Sequence, residues 1–205
     1  MSTEVSSLGV ALITGANRGI GRGIALRLSK DGYDIGINGR STAVHSLETL
    51  QKEITALGRR ACIAIGDVSV PEDVANMVST VVQNLGQLDI MVANAGICET
   101  SWLIDVEVVG WEKHFSVNAL GVFLCYKYAA LQMIKQGKGG RIIGALSLAG
   151  ERGDSLPANR FCCMWLDLVS LSGAVGIGAY SASKFAVRGL TQVAGNNMTI
   201  AMKPH

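Results

Sequence analysis

The sequence predicts a three-layer α/β/α domain built on a doubly wound parallel sheet, and three observations predict it. Strand-like and helix-like segments alternate for most of the 205 residues, an apolar run at Leu8 to Ile13 breaks into a glycine-rich turn that opens a helix, and apolar residues make up 49% of the chain against 17% charged. Alternation of this kind implies βαβ units, with crossover helices covering both faces of a parallel sheet. The length suits one domain, residues 1–205, able to bury a sizeable core.

The first strand is Leu8 to Ile13. The stretch that follows, Thr14-Gly15-Ala16-Asn17-Arg18-Gly19-Ile20-Gly21, is where backbone amides are allowed to approach a pyrophosphate. The first glycine permits the tight turn, and the later ones allow close approach of phosphate and close helix–strand packing. The helix behind it offers unpaired N–H groups and the positive end of its dipole. Ile20, Ile24 and Leu28 recur at helical spacing, so Gly19 to Ser29 is expected to be an amphipathic helix covering the sheet. This strand–turn–helix is the Rossmann-type entry into a dinucleotide site.

Further along, Asp34 to Asn38 is a short strand and Val44 to Leu57 a helix. Arg60 to Gly66 is a strand, and Pro71 starts a helix to about Leu85 with Ser69 expected as its N-cap. Asp89 to Ala93 and Arg141 to Leu146 are two more strands. From Val117 to Ile134 the chain reads as a helix apolar almost all round. Such a helix is buried on two sides. A partner subunit is the favoured second neighbour, with deep burial inside one subunit as the alternative.

Composition excludes several function classes. A formal net charge of +2 without a Lys/Arg-rich run gives no nucleic-acid surface. The longest apolar stretch, Phe161 to Gly178, is interrupted by Asp167, so no membrane span is expected. Met1 to Leu8 has neither a basic n-region nor an apolar h-region. Cys62, Cys98, Cys125, Cys162 and Cys163 show no paired or metal-ligand spacing and read as reduced thiols, which suits a cytoplasmic protein. His45, His114 and His205 lack partners at metal-ligand spacing.

Five separated motifs, in order, resemble the short-chain dehydrogenase/reductase family. They are Thr14 to Gly21, Asp67-Val68, Asn94-Ala95-Gly96, Asn118, and Tyr180-Ser181-Ala182-Ser183-Lys184, with Ser147 matching the family's catalytic serine. The wording from Gly178 to Arg188 is similar to diacetyl/acetoin reductases and related carbonyl reductases. The resemblance implies a catalytic set of Asn118, Ser147, Tyr180 and Lys184. It implies cofactor contacts from Gly15, Asn17, Arg18, Gly19, Ile20, Gly21, Arg40, Asp67, Val68, Asn94, Ala95 and Gly96, together with Tyr180 and Lys184.

By that resemblance Tyr180 is the general acid, delivering a proton to a carbonyl oxygen as hydride reaches carbon. Lys184 lies four residues on, one helical turn away. A free tyrosine has a pKa of about 10, and the Lys184 ammonium together with the positive charge of the oxidised nicotinamide is expected to lower it toward working pH. Lys184 would also bond the nicotinamide ribose, Ser147 would hold the substrate carbonyl, and Asn118 would anchor a water relaying protons to Lys184. Asp67 would bond the adenine, or cap the Pro71 helix, or both. NAD enzymes place an acid at the end of the second strand. Ile35-Gly36-Ile37-Asn38-Gly39-Arg40 has none, and Arg40 with Arg18 would embrace a 2′-phosphate, so NADP(H) is favoured over NAD(H).

Two departures from the family stand out. The family spaces its serine and tyrosine about thirteen positions apart, whereas 33 separate Ser147 from Tyr180 here. Removing the 20 residues Asp154 to Gly173 restores the ordinary spacing, so this segment reads as an insertion, resembling either a retained intron read in frame or a genuine added loop. Lengthening the connection costs only roughly 0.9 kcal/mol. Its Phe161, Met164, Trp165, Leu166, Leu168 and Val169 must bury somewhere, and they are expected to occlude the substrate cleft.

The second departure is the ending. Where the family continues its helix and adds two strands and a substrate-covering segment, Gly195-Asn196-Asn197 is expected to break the helix before His205. The sheet is then expected to be incomplete at its C-terminal edge, with Arg141 to Leu146 facing water. The leading expectation is an NAD(P)(H)-dependent oxidoreductase interconverting a carbonyl and a secondary alcohol, diacetyl or acetoin being the best substrate guess, in a homo-oligomer. The rival is a catalytically silent dinucleotide-binding or oligomer-forming remnant of such an enzyme.

Overall fold

A computed structural model describes residues 6–147 and 176–201, the last six of these as backbone. The segment 154–173 and its expected occlusion of the cleft lie outside the described residues. Five parallel strands form one sheet: β1 (Val10–Ile13), β2 (Asp34–Gly39), β3 (Ala61–Ile65), β4 (Ile90–Ala93) and β5 (Arg141–Gly144). Their order is β3-β2-β1-β4-β5, so the strand order reverses beside β1. Open α/β sheets bind ligands at the carboxyl ends of their strands at such a switch point.

Side chains alternate between the two faces, as strand geometry requires. Val10, Leu12, Met91 and Ala93 join one core with α3 (Pro71–Leu85), α5 (Gly121–Gln136) and Val187 of α6 (Gly178–Ala201). Ala11, Ile13, Ile35, Ile37, Ile90 and Val92 join the other, with α1 (Gly19–Lys30) and α2 (Val44–Ala56). The expected Rossmann-type three-layer sandwich is therefore present. β5 is the outermost strand on its side among the described residues, with Ile143 half-exposed.

Four local expectations need correction. The buried line of α1 is Gly21, Ala25 and Ser29, while Ile20 is 49% exposed and Ile24 and Leu28 pack at the flank. Small residues occupy the centre because the helix lies close on the sheet. Ser69 does not cap α3: its hydroxyl donates to Asp67 Oδ1, and the cap position is Val70 with no side-chain bond. Asp67 is no helix cap either, since its Oδ1 accepts from the Ser69 amide in a local turn ahead of the helix. Finally, α6 runs unbroken through Gly195, Asn196 and Asn197 to Ala201. Gly costs a helix interior only about 1 kcal/mol, and an established helix propagates through one weak position.

The apolar helix expected from Val117 also begins earlier and in pieces. α4 (Val108–Phe115), a single π-helical turn at Ser116–Leu120 and α5 form one 29-residue rod. By length and apolarity alone this rod matches a membrane span. Its apolarity has a local cause: Val122, Leu124, Cys125, Tyr126, Ala129 and Met133 fill the core beneath the sheet. Among the described residues Leu120, Phe123, Leu131 and Ile134 remain exposed.

Candidate active site

At the carboxyl end of β1 the buried Thr14 ties two loops together. Its Oγ1 accepts from the amides of Asn94 and Ala95, each at 3.0 Å, and Asn94 Nδ2 donates back to the Thr14 carbonyl at 2.9 Å. The glycine turn is thereby fixed against the end of β4. Gly15 has φ +63°, and a Cβ there would sit 3.0 Å from Ala95 Cα. A Cβ on Gly21 would sit 2.4 Å from the Gly15 carbonyl oxygen, so helix and turn approach as closely as backbones can.

Gly19, at φ +55°, faces open space. The N-terminus of α1 has no side-chain cap, because the Arg18 side chain makes none. Uncapped amides at the positive end of a helix dipole, behind a turn that only glycine can form, fit a pyrophosphate. Asn17 is half-buried, and Arg18, Gly19 and Ile20 line the exposed lip.

The next two strand ends complete this side. Arg40 is exposed just past β2, and its positive charge reaches Asp67 beyond β3. Burial raises the Asp67 carboxyl, but hydrogen bonds from Ser69 and the Arg40 charge outweigh it, and the net position is below the usual range. The Val68 side chain packs in the core against α5. Only its backbone is left to meet a ligand. The sequence reading passed over Asn38, which is buried at the end of β2 and bonded to both neighbouring loops. A polar residue inside an otherwise apolar strand was the available signal.

On the other side of the switch point the four expected catalytic residues come together. Tyr180 and Lys184 are one turn apart near the start of α6, with Lys184 Nζ 5.7 Å from the Tyr180 ring centroid. The Tyr180 hydroxyl is hydrogen-bonded to Ser147, just past β5. Lys184 Nζ donates to the Ala145 carbonyl at 2.7 Å, and a Cβ on Gly96 would lie 3.7 Å from that nitrogen. Asn118, fully buried in the π-turn, accepts from the Ile97 amide at 2.8 Å. Its amide donates to the Ile97 carbonyl at 2.9 Å and to Ser183 Oγ at 3.0 Å.

Both amide hydrogens of Asn118 are committed, so its side chain braces the end of β4 against α6, and its Oδ1 keeps a second lone pair to accept from a water. Tyr180 is pushed up by burial, lowered by its bond to Ser147 and raised again by Cys98, and the net position lies above 10. Lys184 donates to the Ala145 carbonyl and is itself brought down by burial to about 8, with Cys98 opposing. Cys98 is thus a neighbour of both groups that the sequence reading did not single out.

The segment after β4 is also anchored, through residues that no motif marked. His114 is buried, its Nδ1 bonded to the Gly110 carbonyl at 2.8 Å and its Nε2 accepting from the Glu99 amide at 3.0 Å. Ser101 donates its amide to the Gly176 carbonyl at 2.7 Å and bridges to Ile177 in parallel, three residues before Tyr180.

The short chain dehydrogenase family profile matches residues 9–158. The chain belongs to the short-chain dehydrogenase/reductase family. A short-chain dehydrogenase/reductase of Armillaria gallica is 45% identical over 193 residues, covering 94% of this chain and 66% of the relative. The crystal structure of acetoin dehydrogenase YohF from Salmonella typhimurium matches with a TM-score of 0.78 at 33% identity, covering 94% of this chain and 68% of the other. The alcohol dehydrogenase of the archaeon Thermococcus sibiricus, complexed with 5-hydroxy-NADP, matches with a TM-score of 0.73 at 28% identity, covering 90% and 69%. This family member therefore spans about two thirds of the length of the relatives it matches.

Proposed function

We propose that this chain is an NADP(H)-dependent oxidoreductase interconverting a carbonyl and a secondary alcohol, with a small diketone or hydroxyketone such as diacetyl or acetoin as its substrate. The observation that carries the reading is the convergence of Ser147, Tyr180 and Lys184 at the sheet's carboxyl edge, next to Gly96. When bound, the dinucleotide supplies the hydride equivalent. The glycine turn and the bare N-terminus of α1 would hold its pyrophosphate, and Asp67 its adenine. Arg18 and Arg40, with no acid between Ile35 and Arg40, support the choice of NADP(H). The likeness to acetoin dehydrogenase YohF supports the substrate class, and the likeness to the Thermococcus enzyme with its bound NADP derivative supports the cofactor.

In this reading Ser147 donates a hydrogen bond to the carbonyl oxygen and keeps it beside the Tyr180 hydroxyl. Tyr180 passes its proton to that oxygen as the new C–H bond forms, and takes it back in the reverse direction. The Lys184 ammonium, held by the Ala145 carbonyl, is placed to bond a ribose hydroxyl and to favour the phenolate left on Tyr180. Asn118 keeps the end of β4 and α6 in register through Ile97 and Ser183. The exposed Leu120 of the π-turn, Phe123, Leu131 and Ile134 of α5, and Phe185 and Val193 of α6 support a homo-oligomer. The free thiols of Cys62, Cys98 and Cys125 suit a cytoplasmic location.

The test is oxidation of NADPH and of NADH with diacetyl, followed by absorbance, for the full chain and for the chain lacking Asp154 to Gly173. NADPH is expected to be preferred, and Tyr180→Phe is expected to cut turnover by about 10²–10⁴-fold. Full turnover by Tyr180→Phe would remove the catalytic assignment. NADPH binding without turnover in either chain would leave the silent remnant as the correct description.

A further inference from the structure

We propose that Asn38 is the positioning residue of the dinucleotide site: one buried carboxamide that joins the three strand-end loops from which the adenosine half is built. The proposal rests on the dinucleotide reading above and adds a residue to it. Asn38 is the last residue but one of β2 and is 1% exposed. Its backbone carbonyl accepts from the Ala16 amide at 2.8 Å, and its Oδ1 accepts from the Gly15 amide at 3.3 Å. Both donors belong to the glycine turn. In the opposite direction its Nδ2 donates to the carbonyls of Ala64 at 2.9 Å and Gly66 at 3.1 Å, at the end of β3, with the Met77 thioether closing the pocket.

The consequence lies in what stands next to each anchor. Gly66 immediately precedes Asp67, Arg40 follows Asn38 by two residues, and Gly15 opens the phosphate turn. A second tie, from the Gly66 amide to the Gly39 carbonyl at 3.2 Å, runs parallel to the first. Glycine turns have many backbone states of similar energy. A side chain that accepts from the turn and donates to the neighbouring loop selects one of them before any ligand arrives. Only an amide of this length offers an acceptor and two donors at once. A carboxylate would set oxygen against the Ala64 and Gly66 carbonyls, and an apolar residue would bond neither loop.

A purely structural asparagine would lower stability without changing affinity, and the test separates the two. Asn38→Ala and the milder Asn38→Ser are compared with Leu50→Ala, a buried residue of α2 whose loss lowers stability away from the loops. Dissociation constants for NADPH (fluorescence) and 2′,5′-ADP (calorimetry) are measured on full-length folded protein, with melting temperatures recorded in parallel. Loss of about two neutral hydrogen bonds is expected to weaken both ligands about tenfold for the Asn38 variants and not at all for Leu50→Ala.

Amide hydrogen exchange on ligand-free protein reads the loops directly. Exchange at Gly15, Ala16 and Asp67 is expected to accelerate in the Asn38 variants, while Ile97, held by Asn118, keeps its protection. If the unaltered chain binds neither nucleotide, the dinucleotide reading fails, and the exchange data still decide the role of Asn38. Asn38 variants whose exchange at these amides matches that of Leu50→Ala would overturn the proposal.

Discussion

The two sides of the sheet are secured by different means. On the β1–β2–β3 side, strands β1 and β2 are buried along their whole length, and Asn38 ties the end of β2 to the glycine turn after β1 and to the end of β3. On the β5 side the strand alternates between exposed and half-buried, and the reactive groups are placed by side chains reaching from helices: Asn118 from the π-turn and Lys184 from α6. The phosphate cradle is thus a property of the sheet itself, whereas the proton-transfer group depends on cross-braces laid over its rim. Substitutions in strands should therefore weaken the first side far more than the second.

The largest effect that would break this contrast is in the core. Ile37→Ala on β2 is expected to cost about 2–5 kcal/mol, while Ile143→Ala on β5, half-exposed, should cost under about 1 kcal/mol. Urea unfolding midpoints measure both, and equal losses would erase the distinction. Next comes the turn. Gly21→Ala drives a methyl into the Gly15 carbonyl and is expected to cost about 1–3 kcal/mol and to abolish nucleotide binding. Gly23→Ala, two residues on, meets open space and should stabilise α1 by about 0.5–1 kcal/mol.

The smallest effect is recognised by its sign. Native Lys184 releases its proton near 8, whereas an unfolded lysine does so at about 10.4. Between those values the unfolded chain binds more protons, so stability rises with pH there. Wild type should gain about 1–2 kcal/mol relative to Lys184→Met from pH 8 to 10.5, with a flat difference below pH 7. Urea melts of both proteins at pH 7, 8.5 and 10 measure it, and a constant difference would show that the lysine is not buried as a charge.

Much of this arrangement was legible before any coordinates. β1 to β5, α1, α2 and α3 follow from apolar runs and helical periods, with ends shifted by a residue or two. The gathering of Tyr180, Lys184, Ser147 and Asn118 followed from a family resemblance, since these residues lie up to 66 positions apart and no local pattern links them. What escaped were features decided by tertiary contact. Asn38 looked like the absence of an acid and is instead a bolt between loops. His114 was weighed only as a metal ligand, although its ring joins α4 to Glu99. α6 continues through Gly195 because helix cooperativity outweighs one weak residue, and Tyr180 is raised above its ordinary value chiefly by burial.

The π-turn at Ser116–Leu120 carries a consequence of its own. A π-turn holds one residue more than the α-helical path would use, so it acts as a phase shifter between α4 and α5. Upstream of it His114 faces inward, within it Asn118 does, and downstream Val122, Cys125 and Tyr126 follow. Removing a single amino acid from this turn would rotate α4 against α5 by about 100° and is expected to disconnect Ile97 from Ser183 without touching any group that handles a proton.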